Sequence, residues 1–228
     1  MPKRLKETMI RSDFHMHTAF STDSEEAVES MLNRAVERGL YSVCITDHMD
    51  ADYPPDDEMG ESAFRLDTEN YFPFLLKKKK EYEERIQVRI GIELGLQKHL
   101  GTRYETLIEK YPFDFVIGSM HLVCGEDPYT GKVFEELGDA QVYRRMFCET
   151  LECIRKIKCF DVLGHLDYVV RYGKHQAEAY SYEKFSDEID MILRELISSG
   201  KGLELNMAGI KYGPVSYTHL TLPTNREV

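Results

Sequence analysis

An α/β fold, a parallel sheet curved into a barrel, is what this sequence predicts, on three observations. Short apolar runs of strand length alternate with amphipathic helical segments along most of the 228 residues. Some of these runs carry no polar alternation, as in Tyr41 to Thr46, which fits strands buried on both faces. His, Asp or Glu then stands at, or just beyond, the C-terminal end of successive runs, where barrels of this architecture carry their chemistry.

Taken in order, the first strand is expected over Met9 to Phe14, delivering His15 and His17. A helix follows, with Thr22 as N-cap, Glu25 completing a capping box and Gly39 as the stop. Ala27, Val28, Met31, Leu32, Ala35 and Val36 repeat along it at helical spacing. The second strand is Tyr41 to Thr46, with Asp47 and His48 at its end. Residues 49 to 67 form an acidic loop with Pro54-Pro55, expected to flank the site opening. A helix from Asn70 to Arg85 holds Pro73 in its first turn, and Lys77 to Lys80 form a solvated face. Val88, Ile90 and Ile92 alternate along the third strand, which closes at Glu93. Thr102 with Glu105 marks a capped helix ending before Pro112. Phe113 to Ile117 is the fourth strand, followed by Gly118-Ser119-Met120-His121. A helix over 139–158 leads to Asp161-Val162-Leu163-Gly164-His165. Ser181 to Ser199 is amphipathic, with Phe185, Ile189, Ile192, Leu193 and Leu196 on one stripe and Gly200 as the stop. Leu203 to Asn206 is the sixth strand. No domain boundary and no internal repeat interrupts the pattern.

Composition narrows the function. With 42% hydrophobic and 30% charged residues the chain is of globular type. A net charge of −11 argues against gripping nucleic acid through its phosphates, though not against a small anionic substrate in a cation-rich site. No run has the length of a membrane span, and the first residues lack a signal-peptide core. Five cysteines in no paired or zinc-like pattern fit a reducing cytoplasm.

The chemistry-bearing residues point to metal. His15 and His17 alternate with one residue between them, so in an extended segment both imidazoles reach one ion, and Asp23 returns an oxygen ligand six residues on. A lone His-x-His is more often two solvated histidines; the recurrence at Asp47-His48, Glu93, His121 and His165 is what points to a site. Histidine with carboxylate suits zinc, iron or manganese rather than magnesium or calcium. Such ions acidify water and neutralise phosphate oxygens, so the chemistry fits phosphoester hydrolysis. Asp47 is a candidate catalytic or histidine-orienting carboxylate, or a structural residue at a strand end. Arg171, six residues after His165, is the candidate for holding a phosphate, with Ser119 as a hydrogen-bond donor and Arg65 in the loop as further substrate-binding candidates. Glu204 and Asn206 close the sixth strand and either face a substrate amine or are structural.

Asp13-Phe14-His15-Met16-His17, Ile45-Thr46-Asp47-His48, Gly91-Ile92-Glu93, Gly118-Ser119-Met120-His121 and Gly164-His165-Leu166-Asp167 resemble the ordered motifs of the PHP (polymerase and histidinol phosphatase) superfamily. The similarity is closest to its stand-alone histidinol-phosphate phosphatases and runs from about residue 10 to 213. It implies a distorted (β/α)7 barrel holding two to three divalent transition metals. By that resemblance His15, His17 and Glu93 match the ligands of one metal, with Glu93 bridging to another. Asp23 and His48 match a second, and His121 and His165 a third. It implies release of phosphate from L-histidinol phosphate in histidine biosynthesis. Other phosphomonoesters (a nucleotide, a sugar phosphate, a phosphotyrosine) and a metal-bound module without turnover are the alternatives. The family's last Asp and His ligands, from a seventh strand, have no match. Val215 to Thr224 resembles the translated end of a sequencing adapter. The expectation is therefore a single metallophosphoesterase domain over 1–213, truncated before the seventh strand, with 214–228 a non-native tail.

Overall fold

The computed structural model describes residues 11–55, 60 and 63–206. Its strands are β1 (Ser12–Asp13), β2 (Ser42–Ile45), β3 (His48–Met49), β4 (Gln87–Gly95), β5 (Phe115–Ser119), β6 (Val162–Leu163) and β7 (Gly202–Leu203). All pair in parallel in the order β1-β2-β4-β5-β6-β7, with β3 also on β4. The α/β expectation holds: the parallel strands curl as a half-barrel with helices around them. The helices are α1 (Val28–Glu37), α2 (Thr68–Glu81), α3 (Gly101–Lys110), α4 (Lys132–Leu137), α5 (Asp139–Lys156), α6 (Gln176–Ala179) and α7 (Tyr182–Ser198).

The six expected strands are present, and β3 is the second one resumed after a break at Thr46 and Asp47. Both halves pair with β4, Ile45 opposite Ile90 and His48 opposite Glu93. Two buried tyrosines fasten this split strand to β4. The Tyr71 hydroxyl of α2 reaches the carbonyls of Ile45 and Gly91, both at 3.0 Å. The Tyr104 hydroxyl of α3 reaches those of Met49 (3.1 Å) and Gly95 (2.7 Å), and accepts from the Ala51 N–H. Helix packing follows the apolar stripes. Val28, Leu32 and Ala35 of α1 and Phe185, Ile189, Ile192 and Leu196 of α7 are buried in the core. Gly39 (φ +72°) and Gly200 (φ +66°) take the left-handed conformation just past these two helices.

Several boundaries differ from expectation, because tertiary contacts claim the capping residues. Thr22 does not cap α1, whose N-cap is Ala27; its hydroxyl accepts from the Phe64 N–H instead. Thr102 lies inside α3 and caps nothing. The N-cap of α2 is Asp67, so Pro73 falls in the second turn, where it faces solvent and the Glu69 carbonyl loses its helical donor. Lys78 departs from a solvated face: it is buried, with its ammonium 2.7 Å from Glu29 and 2.8 Å from Glu81. The fourth strand sits two residues later than expected, at Phe115–Ser119, and the sixth ends earlier, at Leu203. The short helices α4 and α6 carry too few residues for a readable period. All five cysteines are unpaired. Among the described residues no helix is long and apolar enough to cross a membrane. The expectations for a missing strand and a non-native tail fall on residues after 206, outside the described residues, as does the start of the first strand.

Candidate metal centre

Parallel strands present their C-terminal ends on one edge, and there the chain gathers five imidazoles around one carboxylate. Glu93, on β4, is fully buried. Its Oε2 lies 3.0 Å from His15 Nε2, 3.3 Å from His17 Nε2 and 3.5 Å from His48 Nδ1. Its Oε1 lies 3.2 Å from Nε2 of both His121 and His165. His15 and His17 follow β1 on the same side, while Met16 between them is buried and its N–H donates to Thr46 Oγ1. His48 opens β3, and His121 and His165 each stand two residues beyond β5 and β6.

The rings close on themselves. Centroid separations run 5.0 Å from His15 to His17, 4.4 Å to His48, 4.9 Å to His121, 5.3 Å to His165 and 5.7 Å back to His15. Asp23 approaches from outside, its Oδ2 3.6 Å from His48 Nε2. Three overlapping sets have ligand atoms close enough to share an ion: His15, His17 and Glu93; His17, Asp23 and His48; His48, Glu93 and His121.

The electrostatics are divided. For His15 burial disfavours the cation, but the Glu93 charge and bonds to Glu204 and Glu93 outweigh it and raise the pKa to about 10. For His121 burial is likewise outweighed, by Asp50 and Glu93, and the pKa rises to about 9. For His17 burial prevails over Glu93 and lowers the pKa to about 4; His165 is lowered too, again by burial. Glu93 lies well below the usual carboxylate range, its own burial being overcome by the adjacent His15 and His48. A single carboxylate thus serves some imidazoles and leaves others short. His121 Nε2 is buried with no well-formed hydrogen bond. Burying such a nitrogen without a partner is costly, and a cation beside it supplies one. The donor set therefore fits divalent ions of the zinc, iron or manganese type.

Two carboxylates brace the ring from behind. Glu204 Oε1 lies 2.6 Å from His15 Nδ1, while its Oε2 accepts from the His165 N–H at 2.9 Å. The contact with His15 joins the segments after β1 and β7, which stand at opposite ends of the strand order. Glu204 therefore faces a histidine. Asp50 Oδ2 lies 2.7 Å from His121 Nδ1. Asp50 escapes a search for ligand motifs, although its place two residues after His48 puts it on the same side of an extended segment.

Of the roles open to Asp47, its contacts fit the structural one. Its carboxylate accepts from the Thr18 N–H (2.6 Å), the Thr18 hydroxyl (2.9 Å) and the Ser21 hydroxyl (2.9 Å), and touches no imidazole. It shapes the loop between His17 and Asp23, and burial raises its pKa. Arg171 lies in a 3-10 turn over Tyr168–Tyr172, its guanidinium 5.5 Å from the Tyr168 ring centroid. Tyr168 in turn packs on His121 and His165, with centroids 5.5 and 5.1 Å away. Ser119 ends β5, fully buried, its hydroxyl without a partner and close against Gly164. Arg65 is exposed and its backbone bridges Met49, beside Phe64, whose ring stands 5.1 Å from that of His48. The sequence-derived metal ligands thus come together, and Arg171 stands one aromatic layer away.

A family model described as the PHP domain matches residues 13–208. The histidinol-phosphatase of Lactococcus lactis subsp. lactis is 30% identical over 200 residues, which are 87% of this chain and 72% of that protein. A Clostridium acetobutylicum protein named "Probable histidinol-phosphatase" is 33% identical over 195 residues, 85% of this chain and 72% of its own. Among solved structures, the histidinol phosphate phosphatase of Lactococcus lactis complexed with zinc, L-histidinol and phosphate superposes with a TM-score of 0.78 at 30% identity. The match covers 86% of this chain and 73% of that one.

Proposed function

This chain belongs to the PHP domain family, and on that premise we propose that it is a metal-dependent phosphomonoesterase converting L-histidinol phosphate to L-histidinol and phosphate in histidine biosynthesis. The observation that carries the reading is the closed ring of five imidazoles on Glu93. Support for the substrate comes from the Lactococcus relative, whose structure holds histidinol and phosphate with zinc.

In this reading His15, His17 and Glu93 would hold one ion, His121, His165 and Glu93 a second, and His48 with Asp23 a third. Two to three ions of zinc, iron or manganese supply Lewis acidity toward phosphate oxygens and acidify water near neutral pH. Glu93 is the central carboxylate: its two oxygens face different histidines, so it sets their spacing and offsets positive charge. Arg171 grips the phosphate, since a guanidinium matches two phosphate oxygens at once. Tyr168 against His121 and His165, and Phe64 against His48, wall the imidazoles with apolar surface and keep bulk water from competing. Asp47 acts at one remove, by holding Thr18 and Ser21.

The test is a phosphate-release panel of histidinol phosphate, nucleoside monophosphates, a sugar phosphate and phosphotyrosine, run with zinc, iron or manganese and with chelator. The expected result is metal-dependent release with histidinol phosphate preferred. Preference for another monoester would overturn the substrate, and no release from any of them would overturn the enzyme.

A further inference from the structure

Asp50 has no place in the ligand sets above, yet the fold makes a specific space for it. The residue follows β3, and its N–H donates to the Phe64 carbonyl at 2.8 Å. Extended geometry sends the side chains of His48 and Asp50 to the same side. The pairing of His48 with Glu93 and Met49 with Leu94 brings Gly95 next in line. Gly95 has no side chain, and Asp50 occupies the volume one would fill: a Cβ at 95 would stand 2.5 Å from Asp50 Cγ. The glycine serves here by its smallness, since its backbone is not left-handed.

The carboxylate so placed is 3% exposed and faces two imidazoles through the same ring atom of each. Oδ2 lies 2.7 Å from His121 Nδ1, and Oδ1 lies 3.6 Å from His48 Nδ1 with no hydrogen bond of its own. An acidic oxygen on Nδ1 keeps the proton there and leaves the Nε2 lone pair pointing away. For His121 that nitrogen faces Glu93, and for His48 it faces Asp23. The ring tautomer and tilt of a ligating histidine are set in this way by the group behind it.

We infer that Asp50, seated in the space left by Gly95, is a positioning residue that fixes the Nδ1–H tautomer of His121, braces His48, and thereby sets how tightly the centre holds metal. This rests on the metal-centre reading above and extends it to a residue outside the ligand sets. His48 and His121 share one of the three ligand sets with Glu93, so Asp50 steadies two of its three members from behind. Glu204 does the corresponding work for His15.

The experiment compares the full chain with Asp50→Asn and Gly95→Ala variants. Asn keeps the shape and removes the charge; Ala at 95 keeps the carboxylate and displaces it. Zinc stoichiometry and affinity are read by competition with a chromogenic chelator, with circular dichroism as the check on fold. Both variants are expected to bind zinc about 10- to 100-fold more weakly, the usual cost of losing such a partner. A second measurement needs no variant: long-range 1H–15N spectra of the zinc-loaded parent chain should show His121 protonated at Nδ1 and ligated through Nε2. Unchanged zinc affinity in a folded Asp50→Asn, or ligation of His121 through Nδ1, overturns the inference while leaving the metal centre standing. A parent chain that takes up no zinc overturns both.

Discussion

Replacing Glu93 by Gln is the most direct perturbation of the centre. The change conserves shape, removes the only charge at the middle of the ring, and turns one oxygen into an N–H donor. In the parent chain Oε2 lies within 3.5 Å of three imidazoles and Oε1 within 3.2 Å of two others. On the proposed metal assignment each oxygen would face a separate ion. A charge-assisted contact contributes about 1.5–3 kcal/mol, and each of the two imidazole groups loses one. At about 1.4 kcal/mol per factor of ten, metal should be held roughly ten to a hundred times more weakly at each position. The assay is chelator competition on zinc-loaded protein, with phosphate release from histidinol phosphate measured in parallel. Glu93→Gln should lose both together while its circular dichroism stays that of the parent. A folded Glu93→Gln protein with parental zinc affinity and turnover would refute the bridging role.

Three further outcomes follow from the same geometry. Arg171→Ala should cost about 1–3 kcal/mol in kcat/KM, a several-fold to few-hundred-fold loss, with metal content unchanged; unchanged kinetics would transfer phosphate recognition to Arg65. Tyr71→Phe leaves the carbonyls of Ile45 and Gly91 without their shared donor inside the core, and should lower stability by about 1–3 kcal/mol in urea melts. Without metal, the raised pKa values of His15 (about 10) and His121 (about 9) mean folded protein holds their protons longest, so their stabilisation is full below pH 6.5 and lost as pH rises through those values. The lowered His17 (about 4) acts in reverse, costing stability as pH falls from 6.5 toward 4. Chelator-treated protein should thus be most stable near pH 6.5, and a melting temperature rising steadily from pH 6.5 to 9 would contradict this.

The ligand ring is readable in the sequence because its residues sit at strand ends, and strand ends are marked by simple period-two or all-apolar runs. His15, His17, His48, Glu93, His121 and His165 all come from such places. The supporting residues are harder to read. Asp47 and Asp50 flank the same histidine and look alike in one dimension, yet a break in the strand turns the first toward Thr18 and the second toward His121. Nothing in local spacing reports that break. Thr22 and Thr102 carry good capping patterns and cap nothing, since a contact with distant Phe64 claims the first and a helix start one residue earlier absorbs the second. Glu204 is ambiguous for a related reason: its partner is His15, at the other end of the strand order.

That last pairing has a consequence for how the protein is made. His15 and Glu204 lie 189 residues apart, and a ribosome adding about 5–20 residues per second needs about 10–40 s to cover that distance. For that interval the first two histidines exist without the carboxylate that aligns them, and for the early part of it without Glu93. A nascent chain therefore shows metal-seeking side chains before it has a place to put the metal, and any ion captured early is captured by an incomplete set. Completion of the brace on His15 is in this sense a late event, timed by the emergence of residue 204.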